Sequence, residues 1–160
     1  FARHHPDRVR RMVLTGAGVG RRDMTAAAVT EAMAAREKQV AGGAYGFGDR
    51  VAALLGPDAS AETVALVQHV LRATNPRGFL QAARFGLLAG STLDFAARLT
   101  MPVLLIQGDQ DRVNPLEANA APLAATLPDA RLTVLAGIGH LPEVEAPDVV
   151  NDAVVGFLSA

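Results

Sequence analysis

The stretch "VLLIQGDQDRVNP", residues 103–115, decides the fold class. It opens with a continuous apolar run that ends at a glycine, a pattern typical of a strand covered on both faces. Two carboxylates, Asp109 and Asp111, follow the strand, and an Asn-Pro pair then predicts the start of a helix. A buried strand, a polar turn and a helix in this order indicate one unit of a parallel α/β sheet.

The same alternation extends outward to both ends of the chain. Further strands are predicted at 11–15 and 131–136. A final helix begins at 145–147, and one apolar stripe on it consists of Val149, Val150, Ala153, Val154, Phe157 and Leu158. Pro122 predicts a kink or a late start in the helix that follows the quoted stretch. Between the first two strands the periodicity is helical throughout, with helices predicted at 24–41, 49–55, 61–73 and 76–89. In the helix at 61–73, the apolar residues Val64, Val67, Val70 and Leu71 share one face. The fold class is therefore α/β, a sheet of parallel strands with flanking helices and an inserted helical segment.

Composition excludes several kinds of protein and site. The chain has 160 residues and a net charge of −1, which argues against a nucleic acid or a membrane surface as an electrostatic partner. It contains no cysteine, so a cysteine nucleophile, a thiolate metal site and a disulfide are excluded. No transmembrane run or signal peptide is readable. The opening "FARHHPDRV" lacks a Met and starts like the end of a helix, so we expect a piece of a longer protein. Separately, we expect that protein to be located in the cytoplasm.

The glycine-rich segment "GAGVGR", residues 16–21, follows a strand and invites comparison with a dinucleotide-binding turn. That motif requires a third glycine where the next helix packs on the strand, and Arg21 stands there instead. The ribose-binding acid should also end a second strand, whereas the next segment predicts a helix. A turn leading into the helical insertion is the favoured interpretation.

The pair of carboxylates in "DQDRV" allows other chemistries. A phosphatase that forms an aspartyl phosphate needs a downstream lysine to neutralise the phosphoryl group, and no lysine follows Lys38. A calcium loop would continue with Asp or Asn and then Gly, but Val113 and Asn114 interrupt that pattern. Neither chemistry fits the residues that follow.

An acid–histidine pair fits better. Asp111 and His140 each come just after the end of a predicted strand, and catalytic groups of open parallel sheets gather along that edge. If the two strands are neighbours in the sheet, their axes lie about 5 Å apart and the two side chains can meet. A carboxylate that accepts a hydrogen bond from Nδ1–H of a histidine sets its tautomer and stabilises the imidazolium. Among other polar residues we expect His4, His5, His69 and Asp94 to be structural, with His69 a lesser candidate for a pocket.

Here the chain resembles a known family. "MPVLLIQGDQDRVNP", followed by "LPDARLTVLAGIGHLPEVEAPDVVNDAVVGFL", is similar to the C-terminal part of α/β-hydrolase fold proteins, and "FARHHPDRVRRMVLTG" is similar to their segment after the nucleophile. The resemblance implies Asp111 as the catalytic acid and His140 as the base, with no metal or organic cofactor. It also implies three segments: core residues 1–22, a helical cap over 23–98, and core residues 99–160.

One departure limits what the resemblance implies about activity. The family places its nucleophile in G-x-S-x-G, and no such motif occurs here. Ser60, Ser91 and Ser159 lack that context. The resemblance implies a parent hydrolase of small-molecule esters, lactones or C–C bonds, with the nucleophile absent from this chain and the isolated chain inactive. Two alternatives stay open: a dehalogenase-type parent with an Asp nucleophile, or a non-catalytic fragment that binds a ligand or partner.

Overall fold

The computed structural model describes residues 1–21, 24–42 and 50–160. Numbered in chain order among these residues, the strands and helices are β1 Met12–Thr15, α1 Ala26–Ala41, α2 Val51–Leu54, α3 Ala61–Ala73, α4 Pro76–Leu88, β2 Val103–Gly108, α5 Ala120–Thr126, β3 Ala130–Leu135, α6 Pro142–Glu145 and α7 Pro147–Ser159. Short 3₁₀ helices occur at Pro6–Arg8, Thr92–Asp94, Ala96–Arg98 and Leu116–Ala118. Strands and helices thus alternate at the two ends of the chain, and the middle is helical.

The chain forms two compact units. The sheet unit contains Phe1–Val19, Ala53–Ser60 and Thr92–Ala160, and the helical unit contains Gly20–Ala52 and Ala61–Ser91. These bounds differ from the predicted insertion at 23–98, because 53–60 and 92–98 pack with the sheet.

The three strands form one parallel sheet in the order β1-β2-β3. Met12 is in register with Val103, and Val103 with Ala130. Because all three strands run in the same direction, their carboxyl ends meet along one edge of the sheet. The parallel α/β class predicted from the sequence is confirmed.

The central strand β2 is buried along its whole length. Val103 and Leu105 belong to an apolar cluster with Leu123 of α5, while Leu104 and Ile106 belong to another with Val150 of α7. Alternate residues of a strand point to opposite faces, which explains the continuous apolar run in the sequence. Each fully buried side chain of this kind contributes about 1.5–3 kcal/mol, so β2 is the centre of the core.

The helices that flank the sheet follow the predicted pattern with two differences. Pro122 lies in the first turn of α5, which begins only at Ala120, so the predicted late start is confirmed. The apolar stripe of α7 is narrower than predicted. Val149 and Leu158 are exposed, because α7 places only its Val150 side against the cluster on β2.

In the helical unit, α1 packs against α4. Thr25 caps α1, and Asn75 caps α4 through its side-chain oxygen. Val70 is exposed, although the sequence predicted it on the buried face of α3 with Val67. The predicted helix 49–55 is observed as α2, and its residue 49 lies outside the described residues. None of the helices in the described ranges has the length and apolar character needed to cross a membrane.

Candidate active site

Asp111 lies three residues past the end of β2 and is 4% exposed. Its Oδ1 accepts hydrogen bonds from the backbone N–H groups of Val113 and Asn114, each at 2.8 Å. An Asp that accepts backbone N–H groups two and three residues ahead closes a local turn. The turn therefore holds the carboxylate in one orientation and leaves Oδ2 for other partners.

His140 is one of those partners. Its Nδ1 lies 2.9 Å from Oδ2 of Asp111. The histidine follows β3, which is paired with β2, so the two side chains meet at the carboxyl edge of the sheet. The backbone N–H of His140 donates to the carbonyl of Leu54 at 2.7 Å. This bond holds the loop after β3, which carries His140, to the end of α2. The imidazole is 21% exposed, so the ring is shielded but still reaches solvent.

Gln107 is a second partner of Asp111 that was not predicted from the sequence. Its Nε2 donates to Oδ2 of Asp111 at 2.7 Å and to the carbonyl of Asn114 at 3.1 Å, and the residue is fully buried. Rotating the amide would bring its oxygen against that carboxylate, so these acceptors determine its orientation. The opposite atom, Oε1, is buried without a hydrogen-bond partner among the described residues. A glutamine ending an otherwise apolar strand beside an acid is the signal that sequence reasoning had available.

Gly16, the residue after β1, makes two close contacts at the acid–histidine pair. Gly16 has a φ of 52°, and a Cβ there would lie 3.1 Å from Nδ1 of His140. The side-chain amide of Asn114 donates to the carbonyl of Gly16 at 2.9 Å. The segment after β1 is thus a turn held against the histidine, which agrees with the turn interpretation of residues 16–21.

Glu145 holds the histidine loop against the segment after α2. Its Oε1 accepts from the backbone N–H of Gly139 at 2.9 Å, and its Oε2 accepts from that of Gly56 at 2.6 Å. A Cβ on Gly139 would lie 2.5 Å from the backbone of Leu55, so the two segments are in direct contact. One carboxylate therefore satisfies two backbone donors from different parts of the chain, a role that the sequence did not reveal.

Replacing Glu145 by alanine is expected to lower the free energy of unfolding by about 2 kcal/mol. The change leaves two backbone N–H groups without the carboxylate. Each hydrogen bond to a charged group contributes about 1.5–3 kcal/mol, and water entering the space that the side chain vacates recovers part of the sum. Urea denaturation measures the effect. Glu143→Ala, an exposed position in the same α6 helix, is the matched control and should change stability by less than about 0.5 kcal/mol. Equal losses in the two variants would contradict the bridging role.

The other carboxylate of the quoted stretch has a different place. Asp109 is exposed, and its Oδ1 accepts from the backbone N–H of Gly137 at 2.8 Å. It ties the turn after β2 to the loop after β3, as expected for a residue that shapes the turn. The remaining candidates from the sequence, His4, His5, His69 and Asp94, are all exposed. No group of three or more His, Asp or Glu side chains suited to a metal ion occurs within the described ranges.

Comparison with known proteins agrees with this architecture. The model of the alpha/beta hydrolase fold family matches residues 1–147. A thermophilic esterase from Thermogutta terrifontis superimposes with a TM-score of 0.86 at 24% identity, covering 99% of this chain and 59% of the esterase. A hydrolase from Pseudomonas aeruginosa PA01 superimposes with a TM-score of 0.78 at 29% identity, again covering 99% and 59%.

A curated relative is similar over a shorter range. A provisionally named non-heme chloroperoxidase of Synechocystis sp. is 31% identical over 105 residues, which is 66% of this chain and 37% of that protein. The chain thus spans a little over a third of this relative and 59% of the two solved structures.

Proposed function

Because the chain belongs to the α/β-hydrolase fold family, we propose that Asp111 and His140 are the acid and the base of a hydrolase site. The substrates of the parent enzyme are small molecules with an ester, a lactone or a C–C bond to be cleaved. The esterase relative supports the ester class, the hydrolase relative supports hydrolysis in general, and the chloroperoxidase relative supports a fold that accepts more than one reaction.

The contact between Nδ1 of His140 and Oδ2 of Asp111, at 2.9 Å, carries this proposal. The carboxylate is buried and held by two backbone N–H groups and an amide, so it has little freedom to turn away from the ring. A charged, oriented acceptor at Nδ1 keeps the proton on that nitrogen and stabilises the imidazolium that forms during acyl transfer. The other ring nitrogen of His140, Nε2, is then the atom that exchanges protons with the reacting groups.

In the ester case the steps follow from that assignment. Nε2 of His140 takes the proton of the nucleophile's hydroxyl as its oxygen bonds to the acyl carbon. The same proton passes to the alkoxide as the ester C–O bond breaks, which releases the alcohol. Water then attacks the acyl-enzyme, with Nε2 taking its proton and returning it to the nucleophile's oxygen.

The nucleophile is the component that this sequence does not contain in recognisable form. No G-x-S-x-G occurs in the 160 residues, and Ser91, which is buried in the helical unit, pairs through its backbone with Gly20. We propose that the nucleophile and the oxyanion donors of the parent lie in sequence outside these residues. A Ser there specifies acyl transfer, whereas an Asp there specifies the dehalogenase-type alternative.

The proposal predicts that the 160-residue chain alone has negligible activity on p-nitrophenyl acetate, because an acid–histidine pair without a nucleophile lacks the attacking group. The polypeptide extended by its upstream coding sequence should hydrolyse this ester or, with an Asp nucleophile, release halide from a haloalkane. The assay compares the two polypeptides at equal concentration. Turnover by the short chain that disappears in both Asp111→Ala and His140→Ala would contradict the prediction, and inactivity of the extended protein would favour a binding role.

A further inference from the structure

The helical unit contains a cavity with two arginines in its wall. The cavity has a volume of about 420 Å³ and is lined by residues from α1, α4 and the position preceding α2: Ala35, Arg36, Gln39, Arg50, Phe79, Ala82 and Ala83. Its volume lies within the range of ligand pockets in proteins, roughly 300–1,000 Å³. None of these residues belongs to the acid–histidine site.

Both guanidinium groups are held in place by the helices on either side. Nη1 of Arg36 donates to the carbonyl of Ala32 at 3.0 Å, one turn earlier on α1. The guanidinium carbon of Arg50 lies 5.2 Å from the centre of the Phe79 ring on α4, a cation–π arrangement. Neither contact uses the full set of five N–H donors of an arginine. The two contacts therefore orient both guanidinium groups in the wall of the cavity, and each group has N–H donors beyond those that these contacts use.

The two cations lie close enough to influence each other. Burial, and next the positive charge of Arg36, lower the pKa of the Arg50 guanidinium below its ordinary value. None of the described residues that line the cavity is acidic, so no carboxylate among them offsets the repulsion between Arg36 and Arg50. Two like charges held together at a half-buried position raise the energy of the empty protein, and an anion between them would relieve that cost.

We propose that this cavity binds a small organic carboxylate with an apolar body. The planar forks of two arginines match the geometry of a carboxylate, which accepts paired N–H bonds. Apart from the arginines and the side-chain amide of Gln39, the lining is apolar, since Phe79 and the three alanines provide surface for carbon atoms. Inorganic phosphate would fit the arginines but would make poor use of that surface. The proposal goes beyond the hydrolase function and does not depend on it.

The test uses benzoate as the probe and the complete protein that contains this chain. Benzoate should bind saturably in the millimolar range or tighter by titration calorimetry, and should raise the unfolding temperature. Benzamide, which has the same shape without the charge, should not bind, and inorganic phosphate should bind more weakly than benzoate. Arg36→Gln and Arg50→Gln should each weaken benzoate binding by about 10- to 100-fold, the effect of losing a hydrogen bond to a charged group.

Matched variants separate the proposed site from general effects of charge and folding. Arg77→Gln removes an exposed arginine from α4 outside the cavity and should leave binding unchanged. Ala82→Leu keeps both arginines but obstructs the cavity from an exposed helical position, so it should abolish binding in a folded protein. His140→Ala should bind benzoate normally. Absence of saturable binding, equal losses in Arg77→Gln and Arg50→Gln, normal binding by Ala82→Leu, or loss of binding in His140→Ala would each overturn the proposal.

Discussion

Replacing His140 by alanine in the complete enzyme should lower kcat by about 10⁴- to 10⁶-fold, and Asp111→Asn should lower it by about 10⁴-fold. His140 is the only group proposed to move protons, so its loss removes both the base and the acid. Asp111→Asn retains the size of the side chain but replaces an acceptor oriented at Nδ1 by a neutral amide. The histidine then loses its fixed tautomer and the charge that stabilises its imidazolium. Steady-state hydrolysis of an activated ester measures both effects.

Asp109→Asn is the matched control for Asp111→Asn. The two aspartates are two positions apart, yet Asp109 is exposed and bonds to Gly137 rather than to the imidazole. We expect its kcat to remain within a few-fold of the wild type, about 1 kcal/mol of transition-state energy at most. Equal losses in the two asparagine variants would show that the carboxylates act only by shaping the turn. Activity that survives in His140→Ala would reject the proposed base.

Replacing Gly108 by alanine should lower the free energy of unfolding by about 3 kcal/mol or more. A Cβ at this position, the last residue of β2, would overlap the backbone carbonyls of Ile138 and Gly139. Those carbonyls cannot retreat easily. The Ile138 carbonyl accepts from Gln110 N–H at 2.9 Å, and the adjoining loop is held to Leu54 and Glu145. Thermal or urea unfolding measures the loss.

Gly156→Ala is the control for the glycine variant. Gly156 lies inside α7, and a Cβ there would have no neighbour within 4 Å, so alanine should stabilise the helix by about 0.5–1 kcal/mol. Gly108→Ala should also reduce activity in the complete enzyme by about 10²-fold, since it displaces the loop that carries His140. Equal stability of the two variants would contradict the close packing of β2 against that loop.

Several elements could be predicted because their causes are local. The apolar run of β2 reflects burial on two faces, and the proline in the first turn of α5 forces a late helix start. The helical stripes were less reliable. Val70 and Val149 have the right spacing to be buried, but spacing cannot say how wide the contact with the neighbouring surface is. The division of the chain at 53–60 was missed for the same reason, since packing against the sheet is not encoded in local periodicity.

The candidate site divides in a similar way. The sequence predicted that Asp111 and His140 meet, because parallel strands bring their carboxyl ends to one edge, and the two side chains are in hydrogen-bond contact. It did not reveal Gln107, Glu145 or the glycine contacts. The bridge from Glu145 to Gly56 joins positions 89 apart, and the contact of Asn114 with Gly16 joins positions 98 apart, distances that no short motif spans. Gln107 is only four positions from Asp111, but the orientation of its amide depends on the folded turn.

The sequence by itself determined the class of this protein: a parallel α/β sheet with an acid and a histidine each placed after the carboxyl end of a strand, in a chain without a recognisable nucleophile motif. That much follows from apolar periodicity, turn residues and the position of polar groups after strands. Only the tertiary structure decided how Asp111 is oriented, which segment holds the His140 loop, and that Arg36 and Arg50 share a cavity. Apart from the local turn that holds Asp111, these features are contacts between distant segments, and their energies depend on packing that exists only once the chain is folded.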